Sequence, residues 1–81
     1  MPSLELWSSA LVARRKGLGL TQQQLADLSG VGVAFLYDLE HAKPTVRIDK
    51  LLAVLEVLGL KLELTEGRGP IGIDSKLTGE G

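Results

Sequence analysis

The sequence predicts a small, mainly α-helical domain of four to five helices that ends in a single β-strand. Seventeen of the 81 residues are leucine and only three are aromatic, a composition that favours helices over strands. Apolar residues recur at helical spacing up to residue 58, whereas residues 60–66 alternate apolar and polar side chains. This length permits one domain and little more, which we place at residues 1–66. Five glycines follow within residues 67–81, which we interpret as a flexible tail.

The first helix is predicted at residues 4–16. Trp7, Leu11 and Leu18 recur at steps of four and seven residues, which gives one apolar stripe. Three consecutive basic residues at positions 14–16 suit the negative end of the helix dipole. The glycine that follows them favours the end of the helix at this point.

Two short helices joined by a tight turn are predicted next. Thr21 and Gln24 have the spacing of a capping box, in which each side chain satisfies a backbone N–H at the start of a helix, here residues 22–29. A three-residue turn rich in glycine leads to the next helix at 33–41, with Gly32 as its N-cap. This arrangement is typical of a helix-turn-helix motif.

The fourth helix, at residues 48–58, is apolar nearly all round, which indicates burial on more than one side. In so short a chain, we expect the second side to contact another chain. The strand at 60–66 has no partner strand in its own sequence, so we expect it to pair with its copy in a two-fold symmetric homodimer. The predicted dimer contacts are Val54, Val57, Leu58, Leu60, Leu62 and Leu64.

The net charge of −1 argues against a protein that coats nucleic acid by bulk electrostatics, but the charge is unevenly distributed. Residues 14–50 contain six basic and four acidic side chains, and residues 51–81 contain three basic and five acidic ones. Lys43, Arg47 and Lys50 cluster around the start of the fourth helix, where cations oppose the helix dipole. This cluster is either a phosphate-binding site or an ordinary solvated basic patch.

Several classes of function are excluded by what the sequence lacks. His41 is the single histidine and there is no cysteine, so the chain has no zinc–thiolate site and no cysteine nucleophile. No glycine-rich phosphate loop follows a strand, and no apolar run is long enough to span a bilayer. We therefore expect no enzymatic activity, cofactor, metal or membrane partner, and the absence of cysteine fits a reducing cytoplasm.

Residues 18–45 resemble the Xre/Cro-type helix-turn-helix family, whose domains are λ-repressor-like. RRKGLGLTQQQLA at 14–26, AKPT at 42–45, RIDKLLAVL at 47–55 and the terminal strand are most similar to HipB-like antitoxins. Together the resemblance covers about residues 4–66. It implies a repressor that binds operator DNA, autoregulates its operon and neutralises a HipA-type serine/threonine kinase toxin. It also implies a bacterial cytoplasmic protein that is associated with the nucleoid.

In that family the second short helix enters the major groove and the first lies across the DNA backbone. The resemblance, together with the basic cluster, gives these predicted DNA-binding residues: Gln22, Gln23, Gly32, Val33, Ala34, Tyr37, Asp38, Lys43, Arg47 and Lys50. It further implies a structural ion pair between Arg15 and Glu40, while Arg14 and Lys16 stay candidates for DNA-backbone contacts.

The sequence departs from the family where bases are read. The third helix has no Arg, Lys, Gln or Asn, the side chains that make bidentate hydrogen bonds to guanine or adenine. Val33 and Ala34 offer apolar contacts such as those to thymine methyls, Tyr37 can bond a phosphate or a base acceptor, and Asp38 can accept only from cytosine. We therefore expect weak sequence readout, or readout of DNA shape. The alternative is a protein-interaction module with a degenerate motif that inhibits a partner without significant DNA binding.

Overall fold

The computed structural model describes residues 2–68, 72–74 and 77 of the chain. These residues form four α-helices: α1 Pro2–Gly17, α2 Gln22–Ser29, α3 Val33–Glu40 and α4 Ile48–Leu58. Helix α2 packs against both α3 and α4, and α1 packs against α3. The mainly helical class and the helix-turn-helix arrangement are therefore confirmed.

A leucine-rich core lies where the four helices meet. Leu25 of α2 and Leu36 of α3 are fully buried, and Trp7 and Phe35 pack against the edge of the core. The buried residues are Leu11, Leu25, Ala26, Leu36, Leu39, Leu51, Val54, Leu55 and Leu58. Leu18 is an exception to the predicted stripe because α1 ends at Gly17, and its side chain is 46% exposed.

The ends of α2 form as the sequence predicts. The Gln24 backbone N–H donates to Thr21 Oγ1 at 3.0 Å, and the Thr21 N–H donates to Gln24 Oε1 at 2.8 Å. Gly30 ends the helix in the left-handed conformation (φ 73°), which costs glycine little because it has no Cβ. These two caps fix the length of α2 and the tight turn into α3.

The predicted strand at residues 60–66 is not formed in the described part of the chain. A strand needs a neighbouring strand for its backbone hydrogen bonds, and no described segment pairs with these residues. Instead, the Leu60 N–H donates to Leu55 O at 2.8 Å, which caps the C-terminal end of α4 after the left-handed Gly59. Beyond Leu60 the leucines are exposed, with Leu62 45% exposed and Leu64 fully so. Pairing of this segment across a dimer stays a prediction.

The structure also corrects two of the predicted dimer contacts. Val54 and Leu58 are buried in the core of their own chain, so neither presents a surface to a partner. The reason is that α4 buries its inner side against α2 and leaves Ile48 and Leu52 exposed. Val57 is half-buried against the core.

Part of the predicted flexible tail at 67–81 lies outside the described residues. Within the part that is described, the Leu77 N–H donates to Asp74 O at 2.9 Å. An open cavity of about 700 Å³ lies between this segment and the α1 residues Trp7 and Leu11. Among the helices described, none is both long enough and apolar enough to cross a membrane.

Candidate nucleic-acid interface

The outward face of α3 is apolar. Leu36 and Leu39 point into the core, and this fixes the opposite direction for Val33, Ala34 and Tyr37, which share one exposed face. Val33 is 42% exposed and Tyr37 is 53% exposed. We call these three residues the α3 face. Gly32 precedes it in an extended conformation and makes no side-chain cap, so the backbone at the start of α3 is uncovered.

Tyr37 and His41 close the C-terminal end of the α3 face. Their rings stack with centroids 3.8 Å apart and planes 21° from parallel. The His41 ring also hydrogen-bonds through Nδ1 to the Tyr37 backbone oxygen at 2.7 Å, so it lies against the helix it follows. The Tyr37 hydroxyl has no hydrogen-bond partner among the described residues, so it is available as a donor or acceptor to a ligand.

Several polar side chains of α2 and α3 have partners within the chain. Gln23 Nε2 donates to Asp27 Oδ1 at 2.8 Å along α2. Ser29 Oγ donates to Leu25 O at 2.6 Å. Asp38 accepts from Lys43 Nζ at 3.3 Å in an exposed ion pair. Val33 and Ala34 are therefore the apolar part of the face, and the Tyr37 hydroxyl is its polar group.

The three cations of the predicted phosphate site follow α3 along the chain. Arg47 forms a two-pronged contact with Asp49, with Nη2–Oδ2 at 2.6 Å and Nε–Oδ1 at 3.1 Å. Lys50 Nζ lies 5.7 Å from the centroid of the Phe35 ring. The guanidinium of Arg47 is the main reason that the pKa of Asp49 is lowered from its ordinary value.

These contacts do not remove the cations from solvent. The side chains of Arg47 and Asp49 are 68% and 62% exposed, and those of Lys43 and Asp38 are 52% and 44% exposed. Exposed pairs of this kind contribute about 0–1 kcal/mol, so a phosphate can replace the carboxylate at little cost. The structure thus leaves Lys43 and Arg47 accessible to solvent and paired to carboxylates, whereas Lys50 is half-buried.

A buried polar cluster joins the three helices behind the α3 face. Arg15 donates to Glu40 through Nε at 2.7 Å and Nη2 at 3.1 Å, and Arg15 Nη1 donates to Leu20 O at 2.8 Å. Gln22 Nε2 donates to the same carboxylate at 2.9 Å. The side chains of Arg15 and Glu40 are only 10% and 3% exposed. We call Arg15, Gln22 and Glu40 the anchor cluster, because it ties the end of α3 to α1 and to the start of α2.

Two polar contacts of α1 were not anticipated from the sequence. Arg14, a candidate for the DNA backbone, instead donates from Nε to Leu58 O at 2.8 Å, which satisfies a carbonyl at the end of α4. Ser8 Oγ donates to Leu39 O at 2.9 Å in the core. No local pattern indicates either contact, since the partners are 44 and 31 residues apart. Lys16 is exposed.

A family model described as "Helix-turn-helix" matches residues 11–64, which include α2, the turn, α3 and all of α4. This chain belongs to the helix-turn-helix family. Over 50 residues it is 46% identical to a Sinorhizobium fredii protein named as an uncharacterized HTH-type transcriptional regulator. That match covers 62% of this chain and 66% of the relative, so the chain spans just under two thirds of the relative's length.

The helix-turn-helix is a motif that many proteins use to bind DNA. In this motif the second helix lies in the major groove with its N-terminal residues at the base edges, and the first helix crosses the backbone. In this helix-turn-helix chain those helices are α3 and α2. The α3 face begins at the first residue of α3, which corresponds in position to the base-contacting residues of the motif in DNA-binding proteins.

Proposed function

We propose that this chain is a sequence-specific DNA-binding transcriptional repressor that acts as a homodimer. The α3 face carries the proposal: it is exposed at the start of the second motif helix and held in place by the buried anchor cluster. A rigid support of this kind favours a surface that must meet a partner in one orientation. When the chain occupies its operator, it blocks transcription of the genes that the operator controls.

Two copies of the chain are needed for useful affinity. The segment 14–50 carries an excess of only two basic residues, so a single copy neutralises few phosphates. Linking two modules makes the second contact intramolecular and raises the overall affinity without new contacts. Exposed leucines at positions 52, 62 and 64 support an interface between copies, and Val57 and Leu60 are only partly buried by their own chain.

The proposed biological setting is a toxin–antitoxin pair in the bacterial cytoplasm, at the nucleoid. The resemblance of residues 14–26 and 47–55 to HipB-like antitoxins supports it. In this proposal the chain represses its own operon and neutralises a HipA-type serine/threonine kinase toxin. The acidic residues 51–81, with an excess of two carboxylates, suit a contact that is separate from the DNA-binding half.

A second candidate function is inhibition of a protein partner without DNA binding. The observation that favours it is the composition of the α3 face, which carries none of the side chains that pair bidentately with purines. An exposed apolar face is also suited to contact with a protein.

The deciding experiment compares two duplexes of equal length across a salt series. One is the DNA upstream of the chain's own gene and the other is unrelated DNA, and binding is followed by fluorescence anisotropy. The proposed function predicts tighter binding to the upstream DNA, with log affinity falling linearly against log salt. Equal or absent binding to both duplexes at physiological salt contradicts the repressor and leaves the second candidate.

The dimer and the toxin are tested separately. Light scattering of the full chain should give the mass of two copies, and deletion of residues 60–81 should give one. A dimer that persists after the deletion shows that α4 alone holds the copies together.

Co-expression with the product of a kinase-like reading frame beside the gene should give a stable complex with lowered kinase activity. An unchanged kinase activity contradicts the antitoxin proposal.

A further inference from the structure

The α3 face differs from a typical base-reading surface in what it can bind. Val33 and Ala34 have no hydrogen-bonding group, and both are exposed at the start of α3. Two polar side chains of α2 and α3 have exposed intramolecular partners, with Gln23 bonded to Asp27 and Asp38 bonded to Lys43. The start of α3 therefore presents an aliphatic patch, formed by Val33 and Ala34, to a ligand.

An aliphatic patch discriminates between bases in one way. Most of the major-groove edge of a base pair consists of hydrogen-bond donors and acceptors. A·T pairs also present an apolar group there, the C5 methyl of thymine. Burying a donor or acceptor against aliphatic carbon leaves it unsatisfied, which costs free energy. Burying a methyl group there gains free energy, since apolar area is removed from water. The patch therefore favours thymine and disfavours polar base edges.

The surroundings of the patch indicate that its occupant is DNA. Lys43 pairs with Asp38 of α3, and Lys50 lies over the ring of Phe35 of α3, so these two cations adjoin the helix that carries the apolar face. A purely apolar protein partner would have no use for this charge, whereas a duplex places phosphates on both sides of the groove.

We propose that Val33 and Ala34 read the C5 methyl groups of thymines in the major groove, and that this contact supplies the base selectivity at the start of α3. This inference rests on the proposed DNA-binding function and adds to it the chemical group that is recognised. Each methyl group that is fully enclosed contributes about a fourfold gain in affinity. Sequence selectivity is thus modest at each base and accumulates over several thymines and two copies.

The test replaces thymine by uracil, which lacks only the methyl group. The DNA upstream of the chain's own gene is amplified with either dTTP or dUTP, and the affinity of the full chain for the two products is measured by fluorescence anisotropy. The unmodified chain should bind the uracil duplex more weakly, by about fourfold for each methyl in contact. In Val33→Ala the difference between the two duplexes should shrink, because less of each methyl is enclosed.

Leu6→Ala is the matched control, since Leu6 is an aliphatic side chain of similar exposure, 50%, on α1 and outside the helix-turn-helix. It should retain the full difference between the duplexes. Circular dichroism of Val33→Ala checks its folding, and Val33→Thr, which keeps the side-chain shape, repeats the measurement if Val33→Ala is unfolded.

The outcomes separate this inference from the proposed function. Specific binding that is equally tight to thymine and uracil duplexes overturns methyl reading and leaves the repressor intact. A uracil effect of the same size in Val33→Ala as in the unmodified chain also overturns it, because the methyl then acts through DNA shape. Absence of specific binding to the upstream DNA overturns the proposed function and this inference together.

Discussion

The guanidinium of Arg15 and the carboxylate of Glu40 form a two-pronged ion pair, 2.7 and 3.1 Å long, between the last turn of α1 and the last residue of α3. Both side chains are almost completely buried. Because Gln22 donates to the same carboxylate, Glu40 fixes the end of α3 relative to both other helices of the anchor cluster. The direction in which the α3 face points thus depends on a charge in the interior.

Removal of the charge of Glu40 should strongly destabilise the fold. In Glu40→Gln the carboxylate is lost, and the buried guanidinium of Arg15 lacks its counter-charge. Breaking a buried pair from one side costs about 3–5 kcal/mol of the free energy of unfolding. Urea denaturation followed by circular dichroism measures this loss.

Lys43→Ala is the matched control for that experiment. It breaks an ion pair of the same formal charges, between Lys43 and Asp38, but on the surface. Exposed pairs contribute about 0–1 kcal/mol, so the control should unfold close to the unmodified chain. If Glu40→Gln is no more destabilised than Lys43→Ala, the anchor cluster does not hold α3.

Short-range chemistry made the helix-turn-helix predictable. The capping box at Thr21 and the left-handed Gly30 act within a few residues, and the observed bounds of α2 agree with the sequence prediction. The exposure of Val33 and Tyr37 also follows from helical periodicity, once Leu36 and Leu39 are assigned to the core. The sequence pattern is sufficient to predict these features because the contacts that determine them join residues only a few positions apart.

Contacts between distant residues were not predictable in the same way. Gln22 was expected at a phosphate, yet its amide bonds to Glu40, 18 residues away, so one of its N–H donors is already in use. Because α4 is apolar nearly all round, the sequence predicts that one side of it contacts a second chain. In the structure, α2 of the same chain buries much of this apolar surface. The alternation at 60–66 predicts a strand whose partner is a second copy of the chain, and no described segment of this chain takes the place of that partner.

Substitution of Ala42 by glycine should stabilise the fold. Ala42 has φ 59°, in the left-handed region where the Cβ of an L-residue is crowded. Glycine removes this strain but adds freedom to the unfolded chain, and the balance is a gain of about 0.5–1 kcal/mol. Thermal unfolding should show a higher Tm for Ala42→Gly. A lower Tm would mean that the loop between α3 and α4 is not strained.

Gly59→Ala should have the opposite effect. Gly59 ends α4 with φ 71°, and a Cβ added there would lie 3.2 Å from Arg14 Nη2. The variant therefore combines backbone strain of about 1–2 kcal/mol with displacement of the guanidinium that donates to Leu58 O. Gly17→Ala is the control, because a Cβ at Gly17 meets no atom within 4 Å. The prediction is contradicted if the two variants lower the Tm equally.

The pair of Arg47 and Asp49 should be visible in the titration of Asp49. Hydrogen bonding to Arg47 lowers the carboxyl pKa, so NMR should find it below its ordinary value, and Arg47→Ala should raise it. Because the folded-state pKa lies below the unfolded one, the pair stabilises the fold above the unfolded-state pKa. This stabilisation is lost as the pH falls through the folded-state pKa. An Asp49 pKa that does not respond to Arg47→Ala would show that the pair does not form in solution.

Asp49→Asn should strengthen DNA binding without changing its base preference. In the unmodified chain a phosphate has to displace the Asp49 carboxylate from the Arg47 guanidinium, and the neighbouring carboxylate still cancels part of its charge. The variant removes this carboxylate, so the slope of log affinity against log salt should steepen by up to about 0.9, equally for all sequences. Glu56→Gln is the matched control, since it removes the same charge from an exposed position two turns further along α4. If both variants steepen the slope equally, the effect is one of net charge, and Arg47 does not belong to the phosphate-binding surface.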